Sequence, residues 1–318
     1  MLVFNDQIVH GNFREKELEE LKRNNIEYAG YPCKTEDDLL KYAKDADIIF
    51  DQGRMNITKR VIYNLPKLKA ILRRGIGYDN VDVKAAAEKG IIVSNTPGFC
   101  AEEVSTHATS LLLSFVRKIP KYHNLTREGK WLKEDTTFGY DVGSIQYDNV
   151  GIIGFGSIGS MIYEKLEPFK TYFYIFDPFK KLKEKKNLKQ VSLEELLEKS
   201  KFIILCCTFC ENNIHMIDQE QFNLMREDAV IINVGRGRLI NEEVLIKYLK
   251  NKKIEGAALD VFEQEPLDTK SPLMTLDNVI LAPHNGGVSS KSLDLSYKMS
   301  LDEIIRIATG KAPACRVN

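Results

Sequence analysis

Short apolar runs alternate with polar, helix-like segments along the first third of the chain. The apolar runs predict strands at 2–4, 26–29, 47–50, 68–72 and 91–93. The segments between them have the composition of helices, at 15–24, 35–43, 58–64 and 83–89. This alternation favours a parallel sheet that is covered on both faces. We therefore expect residues 1–100 to form one α/β domain.

A second alternation follows a longer predicted helix at 101–117. The polar stretch 118–149 predicts either a long loop or an arm that packs on another subunit. Six strands are then predicted, beginning near residue 150 and at 172–176, 202–207, 229–234, 256–261 and 279–282, with helices at 193–199, 219–225 and 242–251. Six parallel strands in two halves are typical of a dinucleotide-binding domain.

The first of these strands runs into a glycine-rich turn. Gly154, Gly156 and Gly159 form the pattern G-x-G-x-x-G, which allows a tight turn, close approach to a pyrophosphate and close packing of helix on strand. Asp177 ends the next strand, where an acid can accept hydrogen bonds from a ribose. A purely structural glycine turn is the alternative. The strand–helix–strand context favours a dinucleotide site.

Three later strands are followed by one reactive side chain each, namely Arg236, Glu265 and His284. Together they suit hydride transfer on a 2-oxo or 2-hydroxy acid. Histidine can exchange the proton, a carboxylate can fix its tautomer, and a guanidinium can hold the substrate. A solvated or structural side chain is the alternative for each one. We interpret Glu263 as a solvated or structural residue and His215 as a local hydrogen-bond donor.

A further candidate site follows the strand at 68–72. In the stretch 73–80, Gly75 and Gly77 would expose backbone N–H groups at the carboxyl end of a sheet, where ligands of open α/β folds bind. With Arg73 beside them, they could cradle a carboxylate. A glycine turn with solvated arginines remains the alternative.

Composition narrows the class of protein further. The 318 residues suggest two domains, and 45 basic residues balance 45 acidic ones, so nothing favours nucleic acid or a membrane surface as a partner. No signal peptide is evident, which predicts a cytoplasmic protein. Six cysteines include Cys207-x-x-Cys210. Buried free thiols are favoured over a redox or metal pair, because no second ligand pair has suitable spacing. We predict no metal.

These motifs together resemble the D-isomer-specific 2-hydroxyacid dehydrogenases. The resemblance spans residues 75 to 287 and keeps the family's order. It is carried by the motifs at 75–82, 95–98, 154–159, 177–178, 232–240, 258–266 and 282–287.

The resemblance implies a role for each motif. Arg236 would bind substrate, Glu265 would pair with the histidine, and His284 would be the acid/base. The carboxylate would be held around Arg73, Gly75, Ile76 and Gly77. NAD would contact Gly154, Gly156, Ser157, Ile158, Gly159, Asp177, Cys207, Thr208, Asn213, Val234, Gly235, Asp260 and Gly287.

The family's architecture implies two Rossmann-like parallel-sheet domains, with the cofactor domain inserted in the substrate domain. Residues 1–100, completed by 286–318, would form the substrate domain, and 101–285 the NAD domain. Family members are usually homodimers, so a homodimer is expected.

Within the family, Glu102-Glu103 and the stretch 207–217 look closest to the C-terminal-binding-protein branch. The corepressors of that branch have a tryptophan three residues after the histidine, where this chain has Gly287, so their substrate preference is not carried over. Two alternatives stay open: an NAD(H)-sensing regulator, and a phosphoglycerate-type dehydrogenase that uses Arg54, Arg73 and Arg74. The particular acid is not predicted.

Overall fold

The computed structural model describes residues 1–7, 13–53, 55–131, 139–183 and 185–318. The chain divides into two compact units. Met1–Phe99 and Ser289–Asn318 form the first unit, and Cys100–Val288 form the second. The sequence predicts divisions after residues 100 and 285. The second unit is thus an insertion between two segments of the first.

The first unit is built on a five-stranded parallel sheet of order β2-β1-β3-β4-β5. Its strands are β1 (Leu2–Asn5), β2 (Glu27–Gly30), β3 (Ile48–Asp51), β4 (Ala70–Arg73) and β5 (Ile92–Ser94). The helices between them are α1 (Glu15–Arg23), α2 (Glu36–Tyr42), α3 (Lys59–Asn64) and α4 (Val83–Glu88). All four residues of β3 are buried, as expected for a central strand covered on both faces.

The second unit is built on a seven-stranded parallel sheet of order β12-β11-β10-β9-β6-β7-β8. Its strands are β6 (Asn149–Ile153), β7 (Tyr172–Phe176), β8 (Leu188–Gln190), β9 (Phe202–Leu205), β10 (Val230–Asn233), β11 (Gly256–Leu259) and β12 (Val279–Leu281). Its helices are α5 (Ala101–Val116), α6 (Ile119–Arg127), α7 (Ser157–Leu166), α8 (Leu193–Lys199), α9 (Gln219–Leu224) and α10 (Glu242–Lys250). Short 3₁₀ turns cover Glu167–Phe169, Glu211–Asn213, Gly237–Leu239 and Pro272–Thr275.

Helix α11 (Ser290–Ala308) returns the chain to the first unit. Ile48 and Phe50 belong to the same apolar cluster as Ile304 of α11, whereas Ile49 belongs to a separate cluster with Ile62. Successive side chains of a strand point to opposite faces of a sheet, so the two clusters cover its two faces. Helix α11 therefore completes the core of the first unit.

Two elements differ from the sequence prediction. The second unit has seven strands rather than six, because the short segment Leu188–Gln190 pairs in parallel with β7. The stretch 118–149 is not irregular throughout, since it begins with α6, and its residues 132–138 lie outside the described ranges. None of the helices within the described ranges is long and apolar enough to cross a bilayer.

Candidate active site

The glycine-rich turn joins β6 to α7. Gly154 has φ +92°, and a Cβ on it would lie 2.6 Å from the Cα of Cys207. A Cβ on Gly159 would lie 2.2 Å from the carbonyl oxygen of Gly154, so the helix packs directly on the turn. By contrast, a Cβ on Gly156 would meet nothing within 4 Å. The open surface above Gly156, next to the N-terminus of α7, has the form that a pyrophosphate requires.

Asp177 holds this turn in place. One carboxylate oxygen accepts a hydrogen bond from the N–H of Phe155 at 2.8 Å, and the other accepts one from the N–H of Phe179 at 2.9 Å. Each oxygen keeps a second lone pair, so these bonds leave room for a ribose hydroxyl. The ammonium of Lys180 donates to the carbonyl oxygen of Phe155 at 2.8 Å. The ribose contact of Asp177 stays a prediction.

The other residues predicted to contact the cofactor lie at the carboxyl ends of the same sheet. Thr208 and Asn213 form a turn after β9, in which the Asn213 amide donates to the Thr208 carbonyl and accepts from the Cys210 N–H, each at 2.8 Å. Val234 and Gly235 directly follow β10. Their contacts with the cofactor stay predictions too.

All six cysteines are free thiols. Burial raises the pKa of Cys207 to about 11, which suits an inert thiol. Cys210, however, is exposed, so the expectation of a buried thiol is wrong at that position. Across the described ranges, no group of three or more His, Cys, Asp or Glu side chains could hold a metal ion.

His284 and Glu265 form a close pair. The Nδ1 atom of His284 lies 2.6 Å from Oε2 of Glu265, and the other oxygen of Glu265 accepts the N–H of Phe262 at 3.1 Å. Burial would raise the pKa of Glu265, but the hydrogen bond and charge of His284 outweigh it and hold this pKa below its usual value. The pairing at Nδ1 leaves Nε2 of His284 as the nitrogen that can exchange a proton with a substrate.

The backbone around His284 is strained and anchored. His284 has φ +53°, in the left-handed region that residues other than glycine rarely adopt. The two N–H groups that follow, of Asn285 and Gly286, each donate to a different oxygen of Asp260 at 2.9 Å. Asp260 is 3% exposed, and His107 of α5 approaches it with Nε2 at 3.3 Å from Oδ1, although this contact lacks hydrogen-bond geometry. Asp260 therefore fixes the loop that carries His284, and its contact with NAD stays a prediction.

Arg236 lies in a loop that packs closely on the loop of Glu265. A Cβ on Gly237 would lie 1.8 Å from the carbonyl carbon of Phe262, so only glycine allows this approach. The Arg236 guanidinium donates to the Gly235 carbonyl oxygen at 2.9 Å. Its charge contributes to the lowered pKa of Glu265. The three predicted catalytic residues therefore all belong to the second unit, and at least these two influence each other electrostatically.

A second histidine–carboxylate pair, which the sequence does not predict, involves the same loop as Glu265. Nε2 of His215 lies 2.6 Å from Oε1 of Glu263, whose side chain is 31% exposed. Glu242 at the start of α10 exchanges two bonds with Glu263: each N–H donates to the other's carboxylate, at 3.3 and 3.1 Å. Glu263 therefore has a structural role, one of the two that the sequence left open for it. It ties the loop of Glu265 to a helix N-terminus.

In the first unit, the loop after β4 presents two backbone donors. The N–H of Gly75 donates to Thr96 Oγ1 at 2.8 Å, and Asn95 donates to the carbonyl oxygen of Ile76 at 2.8 Å. The N–H groups of Ile76 and Gly77 donate to no acceptor among the residues that the structure describes. Two such donors at the carboxyl edge of a parallel sheet can bind an anion.

Arg73, predicted to help hold the substrate, lies beneath that loop. Its side chain is 15% exposed and its Nε is 3.4 Å from Asp51 Oδ2. A direct contact with substrate stays a prediction. Arg54, a further candidate for the substrate pocket, lies outside the described residues.

These features define an NAD(P)-binding oxidoreductase built from two parallel-sheet α/β units. The profile of the D-isomer-specific 2-hydroxyacid dehydrogenase NAD-binding domain matches residues 109–286. The chain belongs to the D-isomer-specific 2-hydroxyacid dehydrogenases.

Relatives support this assignment over most of the chain. A glyoxylate reductase of Korarchaeum cryptofilum is 34% identical over 285 residues, which cover 88% of this chain and 85% of that protein. A D-3-phosphoglycerate dehydrogenase of Methanocaldococcus jannaschii is 34% identical over 287 residues, but these cover 89% of this chain and only 54% of that protein.

Solved structures share the fold at full length. An NAD-dependent formate dehydrogenase of Staphylococcus aureus, in complex with NAD, has a TM-score of 0.87 at 25% identity over 98% of this chain and 97% of its own. An NADPH-dependent glyoxylate/hydroxypyruvate reductase of Sinorhizobium meliloti, with NADP and malonate, has a TM-score of 0.86 at 25% identity over 99% and 96%. The predictions of fold, of an NAD(P) cofactor and of a 2-hydroxyacid oxidoreductase are confirmed. The C-terminal-binding-protein branch stays a prediction.

Proposed function

We propose that this protein interconverts a 2-oxo acid and a D-2-hydroxy acid, with NAD as the preferred cofactor. The observation that carries the proposal is the 2.6 Å pairing of His284 Nδ1 with Glu265, which directs the proton-exchanging Nε2 away from the carboxylate. An orienting carboxylate of this kind fixes the tautomer of a catalytic histidine.

In the reducing direction, Nε2 of His284 donates a proton to the oxygen of the substrate carbonyl while C2 receives a hydride. Glu265 stabilises the imidazolium before this transfer. Its carboxylate accepts a hydrogen bond from the Nδ1–H of His284 throughout the reaction. Arg236 binds and polarises the substrate. Within the first unit, the N–H groups of Ile76 and Gly77 are the donors proposed for a carboxylate. The reduced nicotinamide, when bound, supplies the hydride.

The test is oxidation of NADH by the purified protein across a panel of 2-oxo acids, with chiral analysis of the product. Turnover giving the D isomer supports the proposal. His284→Ala should lose turnover by about 10³-fold while it still binds NADH. Folded wild-type protein that binds NADH but turns over no member of the panel would contradict the proposal and favour an NAD(H)-sensing regulator.

The preference for NAD over NADP rests on Asp177, whose charge would repel a ribose phosphate. Lys180 and Lys181 follow closely and weaken this preference, and the ammonium of Lys180 donates to the Phe155 carbonyl oxygen at 2.8 Å. Measuring the Michaelis constants for NADH and NADPH tests this preference. A strong preference for NADPH would contradict this interpretation.

A phosphoglycerate-type activity is the second candidate, and the relative in Methanocaldococcus jannaschii favours it. Two of the arginines proposed to bind phosphate are engaged within the first unit. Arg73 pairs with Asp51, and Arg74 stacks on Tyr297 with 4.6 Å between guanidinium carbon and ring centre. We therefore expect little oxidation of 3-phosphoglycerate in the same assays.

We further propose a cytoplasmic homodimer that acts on small acids, with neither nucleic acid nor a membrane as a partner. Light scattering on the purified protein measures its mass in solution. A monomer at micromolar concentration would contradict the dimer.

A further inference from the structure

The two backbone donors of the first unit depend on a loop with few contacts of its own. Thr96 and Asn95 hold the loop on one side through Gly75 and Ile76. The other support is Arg73, which precedes the loop and lies beneath it. The contacts that hold Arg73 in place therefore help to orient the N–H groups of Ile76 and Gly77.

The guanidinium of Arg73 fills the space between two glycine turns. A Cβ on Gly53, which has φ +76°, would lie 2.0 Å from Nη2, and a Cβ on Gly75 would lie 2.7 Å from Nη1. Its Nη1 also donates to the carbonyl oxygen of Arg74. Nε lies 3.2 Å from Oδ1 of Asn80. The loops after β3 and β4 are thus both packed against one side chain.

Asp51 and Asn80 complete this support. Asp51 is fully buried, and its two oxygens accept the Gly53 N–H at 2.7 Å and the Asn80 amide at 2.8 Å. The same Asn80 amide donates to the Met55 carbonyl oxygen at 2.9 Å. A buried carboxylate needs a cation and hydrogen bonds of this kind, and Arg73 provides the cation 3.4 Å away.

Asp6 is a second buried carboxyl group, and its protonation state changes the net charge around Asp51 and Arg73. It is fully buried, and Oδ1 accepts the Gln52 N–H at 3.1 Å, while Oδ2 has no partner unless a proton is shared with Asp51. Burial and the nearby charge of Asp51 raise the pKa of Asp6 to about 8. Near neutral pH, the two carboxyl groups therefore share one proton, and a single negative charge faces one guanidinium.

We propose that Arg73, Asp51 and Asn80 form a buried clamp that positions the N–H groups of Ile76 and Gly77 for a substrate carboxylate, and that Arg73 acts through this loop rather than by contacting the substrate. The inference rests on the proposed function, because the carboxylate belongs to the substrate proposed above. It adds three positioning residues, of which two were not predicted as site residues.

The test compares Asp51→Asn and Arg73→Lys with Arg60→Lys, a control at an exposed ion pair of the same unit. Both clamp variants should raise KM for the 2-oxo acid by about tenfold or more while kcat at saturation and KM for NADH change less than about threefold. The control should match the wild type. Combining the two clamp variants should add little, since both remove the same support.

Amide hydrogen exchange over 75–80 provides a readout that does not require turnover. The clamp variants should exchange at least about tenfold faster there than the wild type, with unchanged exchange in the second unit. If Arg73→Lys weakens substrate binding while Asp51→Asn does not, Arg73 contacts the substrate directly and the clamp is wrong. Unchanged exchange in both variants also overturns it.

The kinetic and exchange measurements together distinguish a failure of the proposed function from a failure of the clamp. An inactive wild type contradicts the proposed function, whereas the exchange rates still decide whether the clamp holds the loop. Melting temperatures identify a variant that fails to fold. If Asp51→Asn does not fold, Asn80→Ser replaces it, and the same two outcomes apply.

Discussion

Asp6→Asn should make the first unit more stable at alkaline pH. The folded protein holds the Asp6 proton up to a pKa of about 8, whereas the unfolded chain releases it near 3.8. A folded-state pKa that is raised for an acid means that stability falls as pH rises from about 4 to about 8. Asparagine mimics the protonated acid: its oxygen can accept the Gln52 N–H, and its amide can donate to Asp51.

The expected change in the free energy of unfolding follows from the shift in the pKa of Asp6. A pKa shift of about 4 units, at about 1.36 kcal/mol per unit, gives an upper limit of about 6 kcal/mol for the gain in stability of Asp6→Asn at pH 8 and above. Near pH 6 the same reasoning gives about 3 kcal/mol, and near pH 4 almost nothing. The difference between variant and wild type isolates the contribution of Asp6 and the groups that interact with it, because the other titrating groups cancel.

Urea unfolding at several pH values between 4 and 9 measures this difference. Circular dichroism is the suitable signal, since the one tryptophan, Trp131, belongs to the second unit. Asp45→Asn, at an exposed pair with Lys67, is the control and should not gain stability with pH. An Asp6→Asn variant whose stability relative to the wild type is the same at pH 5 and pH 9 would refute the reasoning.

Three other substitutions test the second unit. Glu265→Gln should lower kcat/KM by about 10²-fold and move the alkaline decline of reductase activity to lower pH, because the imidazolium loses an anionic partner; an unchanged pH–rate profile would contradict the role of Glu265. Gly156→Ala should keep the wild-type melting temperature but weaken NADH binding by about tenfold or more, because its Cβ would enter open space where the pyrophosphate is expected. Gly159→Ala should lower the melting temperature as well, since its Cβ would collide with the Gly154 carbonyl; equal melting temperatures for both glycine variants would contradict this distinction.

The sequence predicts well which residues lie at the carboxyl ends of strands. Reactive residues that directly follow apolar runs, such as Arg236, can be placed at one edge of a parallel sheet without coordinates. The short strand β8 escaped prediction because Leu188-Lys189-Gln190 has only one apolar residue and lies at the edge of its sheet. Helix α6 escaped because it buries none of its residues and because Pro120 in its first turn indicates a break in the chain after α5.

The contact of Asp6 and Asp51 with Arg73 could not be predicted for a different reason. Asp6 and Asp51 are separated by 45 positions and Arg73 by a further 22, and each follows or ends an apolar run like many solvated residues. Sequence alone does not show whether such a carboxylate faces water or another strand end. Only the strand order β1-β3-β4 brings the three together.

One arrangement recurs in both units and changes how substitutions should be interpreted. Asp51, Asp177 and Asp260 each end or directly follow a parallel strand, and each accepts at least one backbone N–H of an adjoining loop. The last two are residues for which the family resemblance implies a contact with NAD, yet their described bonds fix the loops that would surround it. Alanine at either position would therefore remove a loop support along with any ligand contact. Asparagine keeps one oxygen acceptor, so comparing Asn with Ala at the same position separates the loss of charge from the loss of loop geometry.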